Sequence, residues 1–94
     1  MAQIEGHCSS QFEELKSVFA ASLDSGADLG GSVAIAHRGD VVVDIWGGYC
    51  DEQGTVPWRS DTITNVFSST KTMASLCALV LVDRGELDVD LPVA

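Results

Sequence analysis

The sequence predicts a mixed α/β (α+β) fold in which two helices accompany a β-hairpin. Three observations support this class: apolar residues at helical spacing near the N-terminus, two strand-like runs separated by a short turn, and a long apolar run that ends at Gly85. The chain has 94 residues, of which 46% are hydrophobic and 20% are charged, as in ordinary globular proteins. A chain of this length is expected to form at most one small domain.

The first helix is predicted to begin near Ser9 or Ser10 and to end at Ser25-Gly26. Glu13 follows Ser10 by three residues, which is the spacing of a capping box. Apolar residues then recur at helical spacing, namely Phe12, Leu15, Val18, Phe19 and Leu23. We expect this face of the helix to pack against the rest of the domain.

The hairpin is predicted from residues 32–37 and 41–46, the second of which is rich in β-branched side chains. Gly39-Asp40 lies between these runs and indicates a short turn. Residues 49–59 are predicted to form a loop because Gly54 and Pro57 interrupt regular structure. Residues 61–65 are predicted to be a brief extended or helix-capping segment. With two strands alone, the sheet would have two unpaired edges.

The second helix is predicted over residues 69–84, with Gly85 ending it. Its residues are apolar almost all round, and a helix of this kind is normally buried on every side. A chain of 94 residues is too short to surround it, so we expect further protein to cover it. The uncharged run 73–82 is too short for a membrane span, which needs about 20 residues.

Charge and cysteine content exclude several classes of protein. The formal net charge is −9, and the basic residues are few and scattered, which argues against binding to nucleic acid or to an anionic membrane. The three cysteines, Cys8, Cys50 and Cys77, form no CxxC pair, and His7 and His37 complete no zinc-binding spacing. We therefore predict no metal and no cofactor. Free thiols and the lack of a secretory signal near Met1 predict a cytoplasmic protein.

The sequence Ser68-Ser69-Thr70-Lys71 contains the candidate catalytic residues. Lys71 is the single charged residue between Thr62 and Val82, and Ser68 precedes it by three residues, so the two share one helix face. A serine hydroxyl becomes a good nucleophile when an adjacent base takes its proton, and a desolvated lysine can be that base. Backbone N–H groups at a helix start stabilise the negative charge that develops in acyl transfer. The alternative interpretation is a helix-capping serine beside a lysine whose charged end reaches solvent.

Several further segments surround this S-x-x-K element in a fixed order. They are Asp44-Ile-Trp-Gly-Gly-Tyr49, Pro57-Trp58, Asp61-Thr62, Asn65-Val-Phe-Ser-Ser-Thr-Lys71 and Asp83-Arg-Gly-Glu-Leu-Asp-Val-Asp-Leu-Pro-Val93. Together they resemble the N-terminal part of the serine β-lactamase-like hydrolases, nearest the esterases related to class C β-lactamases and penicillin-binding proteins. The resemblance implies an antiparallel sheet flanked by helices, with residues 1–94 supplying the N-terminal helix, the hairpin and the nucleophile helix of one domain.

The resemblance also implies roles for individual residues. Ser68 would be the acylated nucleophile, with its backbone N–H as half of the oxyanion hole, and Lys71 would be the general base. Trp46, Gly47 and Gly48 match a family motif that we interpret as structural. Tyr49 lies outside the sequence context of the family's catalytic tyrosine.

The implied activity is hydrolysis of a small-molecule carboxylic ester, or alternatively of a β-lactam, through an acyl-enzyme. The catalytic tyrosine and a later Lys- or His-Thr-Gly-like strand have no counterpart in this sequence. The expected partner is therefore the remaining part of the hydrolase domain, as a second chain. Two other interpretations stay open, namely a non-catalytic binding or regulatory module and an inactive truncation.

Overall fold

The computed structural model describes residues 2–93, which contain three strands and two α-helices. In chain order they are β1 (Ile4–Cys8), α1 (Glu13–Ser25), β2 (Gly30–His37), β3 (Asp40–Gly48) and α2 (Thr70–Asp83). Short 3-10 turns at Ser10–Phe12 and Phe67–Ser69 precede the two helices. The chain divides into two units, Met1–Thr62 and Ile63–Ala94, which we call the sheet unit and the helix unit.

The sheet is antiparallel with strand order β1-β3-β2, so the last strand in the chain is the central one. The predicted hairpin is β2 and β3, each slightly longer than expected from the sequence. The two-strand prediction was wrong, because β1 also pairs with β3, from Ile4 opposite Gly47 to Cys8 opposite Val43. β1 has only two apolar side chains that pack against the core, Ile4 and Cys8, and it is held in the sheet by its pairing with β3.

The hairpin turn lies one residue earlier than predicted. His37 and Asp40 are paired, so the two turn residues are Arg38 and Gly39. Both have positive φ angles, 52° and 84°, as in a type I′ turn, whose twist matches that of the flanking strands. A bulge between Ile35 and Ala36 offsets the register near this end of the hairpin.

One face of the sheet packs against α1 and forms the core. The buried hydrophobic residues of the described chain are Ala20, Val42, Val43 and Ile45. Side chains from β1, the first 3-10 turn, α1 and β2 surround the three buried residues of β3, namely Ile4, Cys8, Phe12, Leu15, Phe19, Val33 and Ile35. Complete burial of Val43 and Ile45 stabilises the sheet unit by about 1.5–3 kcal/mol for each side chain.

The start of α1 differs from the predicted capping box. Ser9 precedes the 3-10 turn, Phe12 occupies the N-cap position of α1, and neither position has a side-chain capping hydrogen bond. The Ser10–Phe12 turn intervenes, so Ser10 and Glu13 do not have the positions that a capping box requires. The predicted end is confirmed, since Gly26 has a φ of 79° and donates its N–H to the Leu23 carbonyl oxygen.

The helix unit contains α2, which matches its predicted range to within one residue at each end. Gly85, with a φ of 74°, donates to the Val82 carbonyl, and Glu86 donates to the Leu81 carbonyl, which is the hydrogen-bond pair of a Schellman motif. No residue of α2 is buried. Leu79 is 59% exposed and Leu76 is 49% exposed, although both are apolar. The residues that the structure describes therefore leave this helix largely uncovered.

The loop after β3 is fastened to the sheet at both ends. Tyr49 donates its N–H to the Leu29 carbonyl, and Trp58 donates its N–H to the Gly48 carbonyl, each at 2.9 Å. Within the loop, the Asp51 carboxylate accepts hydrogen bonds from the Thr55 hydroxyl and from the Val56 N–H. Among the described residues, neither helix has the length and apolar character needed to cross a membrane.

Candidate active site

The two candidate catalytic residues lie at the start of α2. Ser68 is in the 3-10 turn Phe67–Ser69, and Lys71 is the second residue of the helix that follows. Both side chains are exposed, and neither makes a hydrogen bond with another residue in the range 2–93. The structure thus places both on one short stretch of backbone, with the spacing of neighbouring side chains at a helix start.

The backbone before Ser68 has an uncommon conformation. Phe67 has a φ of 48°, in the left-handed region that bulky residues rarely occupy. This conformation costs about 1–2 kcal/mol for a residue that has a Cβ atom. The Asn65 side chain offsets part of that cost, because its Oδ1 accepts the Phe67 N–H at 2.9 Å. Such an Asx turn takes the place of one backbone hydrogen bond.

Of the four consecutive backbone N–H groups from Phe67 to Thr70, one has no acceptor in the described chain. Phe67 donates to Asn65 Oδ1, Ser69 donates to the Val66 carbonyl at 3.0 Å, and Thr70 donates to the Phe67 carbonyl. The Ser68 N–H has no acceptor within the described part of the chain. A free N–H on a candidate nucleophile is a suitable donor for the oxyanion of an acyl-transfer intermediate.

A lysine that acts as a base is expected to be shielded from water. The described residues do not shield Lys71, because its side chain is exposed. The nearest residues along the helix are uncharged, and Ser75 donates its hydroxyl hydrogen to the Lys71 carbonyl at 2.9 Å. The chain therefore presents the amine without an acidic residue close in sequence. Exclusion of water from it requires additional protein.

The Trp-Gly-Gly segment on β3 has the structural character that the sequence indicates. Trp46 donates its indole N–H to Glu5 Oε2 at 3.2 Å. A Cβ atom on Gly47 would lie 2.8 Å from the Gln3 carbonyl oxygen, and one on Gly48 would lie 2.4 Å from the Leu29 carbonyl oxygen. Glycine is required at both positions because other chain segments pass so close.

The remaining polar groups and cavities of the described chain do not form a second candidate site. Residues 2–93 hold no group of three or more His, Cys, Asp or Glu side chains that could bind a metal ion. A cavity of about 510 Å³ lies in the sheet unit and is lined in part by Leu23, Leu29, Tyr49 and Trp58. Neither Ser68 nor Lys71 lines it.

Asn65 and Phe67 are the site residues that sequence reasoning missed. Residues 61–65 were expected to be extended or helix-capping; Asn65 instead forms an Asx turn with the Phe67 N–H, and the N-cap residue Val66 has no side-chain capping hydrogen bond. The available signal was an Asn placed three residues before a serine at a helix start. The positive φ of Phe67 carries no signal in the residue type, because an aromatic side chain disfavours it.

Comparison with known protein families and curated proteins extends this description. The family described as Beta-lactamase matches residues 15–94. The Esterase/beta-lactamase LipL of Mycobacterium tuberculosis is 45% identical over 65 residues, which are 69% of this chain and 15% of that protein. The Esterase EstB of Burkholderia gladioli is 34% identical over 79 residues, which are 84% of this chain and 20% of that protein.

Two solved structures are similar over nearly all of this chain. A family VIII carboxylesterase matches with a TM-score of 0.86 and 42% identity, covering 92% of this chain and 23% of the other. A penicillin-binding protein homolog from Caulobacter crescentus matches with a TM-score of 0.86 and 41% identity, covering 94% of this chain and 24% of the other. These matches confirm the predicted fold class. The chain spans a quarter or less of the length of each of these proteins.

Proposed function

This chain belongs to the Beta-lactamase family, and on that basis we propose that it is part of a serine hydrolase that cleaves carboxylic esters. Relatives named esterase and carboxylesterase favour an ester substrate, while the esterase/beta-lactamase name of one relative keeps a β-lactam as the alternative. The observation that carries the proposal is the free Ser68 N–H beside the Ser68 hydroxyl, one helical turn before Lys71.

The proposed reaction begins when Lys71 takes the proton of the Ser68 hydroxyl and the oxygen attacks the ester carbonyl carbon. The carbonyl oxygen becomes an oxyanion, to which the Ser68 N–H donates. The carbonyl double bond then re-forms as the bond from carbon to the leaving oxygen breaks, and that oxygen takes the proton from Lys71 and departs as the alcohol. Water attacks the acyl-enzyme, which releases the carboxylic acid and restores the Ser68 hydroxyl.

Residues 1–94 form, in this proposal, the N-terminal segment of a single β-lactamase-like domain. The rest of that domain, in a partner chain or in a remainder of this one, would cover α2, desolvate Lys71, and bring a tyrosine and the second oxyanion donor. Support comes from the exposed apolar residues of α2 and from the quarter of each solved relative that this chain spans. We use "assembled enzyme" below for this chain together with the polypeptide that completes the domain. We also propose a cytoplasmic location, which the three free cysteines favour.

Purification of the tagged chain from cells tests the proposal. The intact masses of all co-purifying polypeptides identify the assembled enzyme, which is then treated with a fluorophosphonate probe. We expect peptide mapping to find the label on Ser68 and none on Ser69, the adjacent hydroxyl that serves as an internal control. Ser68→Ala should abolish labelling and ester turnover, whereas Ser69→Ala should retain labelling.

Two results would contradict the proposal. A label on Ser69 would show that the wrong hydroxyl has been assigned. An assembled protein that stays unlabelled, and that hydrolyses no ester and no β-lactam, would favour the non-catalytic binding module or the inactive truncation.

A further inference from the structure

The turn that contains Ser68 has one free N–H donor among its four consecutive backbone amides. Of the consecutive amides from Phe67 to Thr70, those of Phe67, Ser69 and Thr70 all have acceptors in the described chain. Only the Ser68 N–H does not. The Asn65 side chain is the one side chain that takes part in this arrangement.

We propose that Asn65 is a positioning residue that holds Phe67 in its left-handed conformation and thereby aims the Ser68 N–H at the oxyanion. This inference rests on the proposed function, because it concerns the same nucleophile. Asn65 has no contact with substrate in the proposal and acts only through the backbone of Phe67 and Ser68.

The physical reason is that the backbone angles of Phe67 set the direction in which the Ser68 N–H points. The φ of 48° at Phe67 is unfavourable for an aromatic residue and persists only when other contacts fix the turn. The 2.9 Å hydrogen bond from the Phe67 N–H to Asn65 Oδ1 is such a contact. If Phe67 returned to an ordinary negative φ, the peptide plane between Phe67 and Ser68 would rotate. The Ser68 N–H belongs to that plane, so the oxyanion donor would turn with it.

The first test compares two substitutions that differ by one acceptor oxygen. In the assembled enzyme, Asn65→Ala removes the acceptor, whereas Asn65→Ser keeps a neutral oxygen that can accept from the residue two positions later. We expect Asn65→Ala to lower kcat by about tenfold to a hundredfold, up to the loss seen when an oxyanion donor is removed. KM should change by less than about threefold, and Asn65→Ser should retain most of the wild-type kcat.

The second test restores the turn in a different way. Glycine adopts positive φ without the steric cost, so Phe67→Gly should recover most of the activity lost in Asn65→Ala. Phe67→Ala in the same background removes the same aromatic ring but keeps a Cβ atom, so it should give no recovery. A role in folding alone would not distinguish these two double variants by kcat. Titration of active sites with the fluorophosphonate probe corrects each rate for the fraction of folded enzyme.

The outcomes separate this inference from the proposed function. If Ser68→Ala keeps its turnover, the proposed function fails, and the inference fails with it. If Ser68→Ala is inactive while Asn65→Ala has a normal kcat per titrated site, the inference alone is overturned. Equal losses in Asn65→Ala and Asn65→Ser, or equal recovery by Phe67→Gly and Phe67→Ala, would also overturn it.

Discussion

Alanine substitution at Gly48 should destabilise the protein both by a steric conflict and by the cost of a positive φ. The chain offers a matched glycine at which only the second cost applies. Gly48 has a φ of 81°, and an added Cβ would lie 2.4 Å from the Leu29 carbonyl oxygen and 2.7 Å from the Gly30 Cα. Gly26 has a φ of 79°, and an added Cβ there would have no atom within 4 Å. Substitution by alanine therefore imposes the same conformational cost at both sites and a steric conflict at one.

The expected magnitudes follow from these contacts. Alanine in the left-handed region costs about 1–2 kcal/mol, and the smaller entropy of the unfolded alanine variant offsets part of this cost. Gly48→Ala additionally displaces backbone of the sheet unit, for which overpacking adds about 1–3 kcal/mol. The free energy of opening of β3 should thus fall by about 1–3 kcal/mol more in Gly48→Ala than in Gly26→Ala.

Hydrogen exchange followed by mass spectrometry on peptides that cover β3 is the appropriate assay, because it reports local stability in any assembly. Relative to Gly26→Ala, the Gly48→Ala variant should exchange these amides about fivefold to 150-fold faster, since 1.4 kcal/mol corresponds to a factor of ten. Equal exchange rates in the two variants would refute the reasoning. They would mean that β3 and the backbone at Leu29 and Gly30 move apart without a cost in free energy.

Three further predictions concern α2, the loop after β3 and the isolated chain. Lys71→Ala should slow acylation of Ser68 in the assembled enzyme by about 10²–10⁴-fold, as for loss of a general base. The control variant Lys16→Ala should acylate at the wild-type rate. Near-normal labelling rates in Lys71→Ala would mean that Lys71 has only a structural role. Hydrogen bonds from the Thr55 hydroxyl and the Val56 N–H hold the pKa of Asp51 below its ordinary 3.8. The ionised carboxylate therefore stabilises the loop fully at a pH above the pKa of Asp51 in the unfolded chain, and this stabilisation is lost as the pH falls through its lower pKa in the folded chain. Carboxyl-carbon NMR titration should show the Asp51 pKa rising in Thr55→Val, and an unchanged pKa would contradict the assigned cause. Sedimentation velocity of the isolated chain should show association through the apolar surface of α2, and a cooperatively melting monomer that hydrolyses a nitrophenyl ester would disprove the need for further protein.

Much of the local structure could be predicted because the signals lie within short windows of sequence. Gly26 and Gly85 end the helices as expected, and both have the positive φ that glycine permits. The β2–β3 hairpin follows from two strand-like runs joined by a short turn. Its turn was assigned one residue late because Arg38, which has a φ of 52°, is not a residue type that favours this conformation.

Features that depend on distant contacts could not be predicted in this way. β1 has the sequence Ile-Glu-Gly-His-Cys, in which only Ile4 and Cys8 pack against the core, so its apolar signal is too short to predict a strand, and its pairing with β3 is a tertiary contact. The candidate site likewise has one part that could be predicted from the sequence and one part that could not. Ser68 and Lys71 follow from their spacing, whereas the turn that Asn65 and Phe67 form before them depends on backbone angles that residue types alone do not reveal.

The central place of β3 in the sheet also determines the order in which the sheet can form during synthesis. β2 and β3 are joined by two residues, and a hairpin of this kind forms in about 1–10 μs. β1 leaves the ribosome before either of them, yet the strand with which it pairs ends at Gly48. Its pairing must also close the long loop that contains α1 and β2, which costs chain entropy. Of the three described strands, β1 is therefore synthesised first and pairs last, and until then its unpaired amides face solvent on the nascent chain.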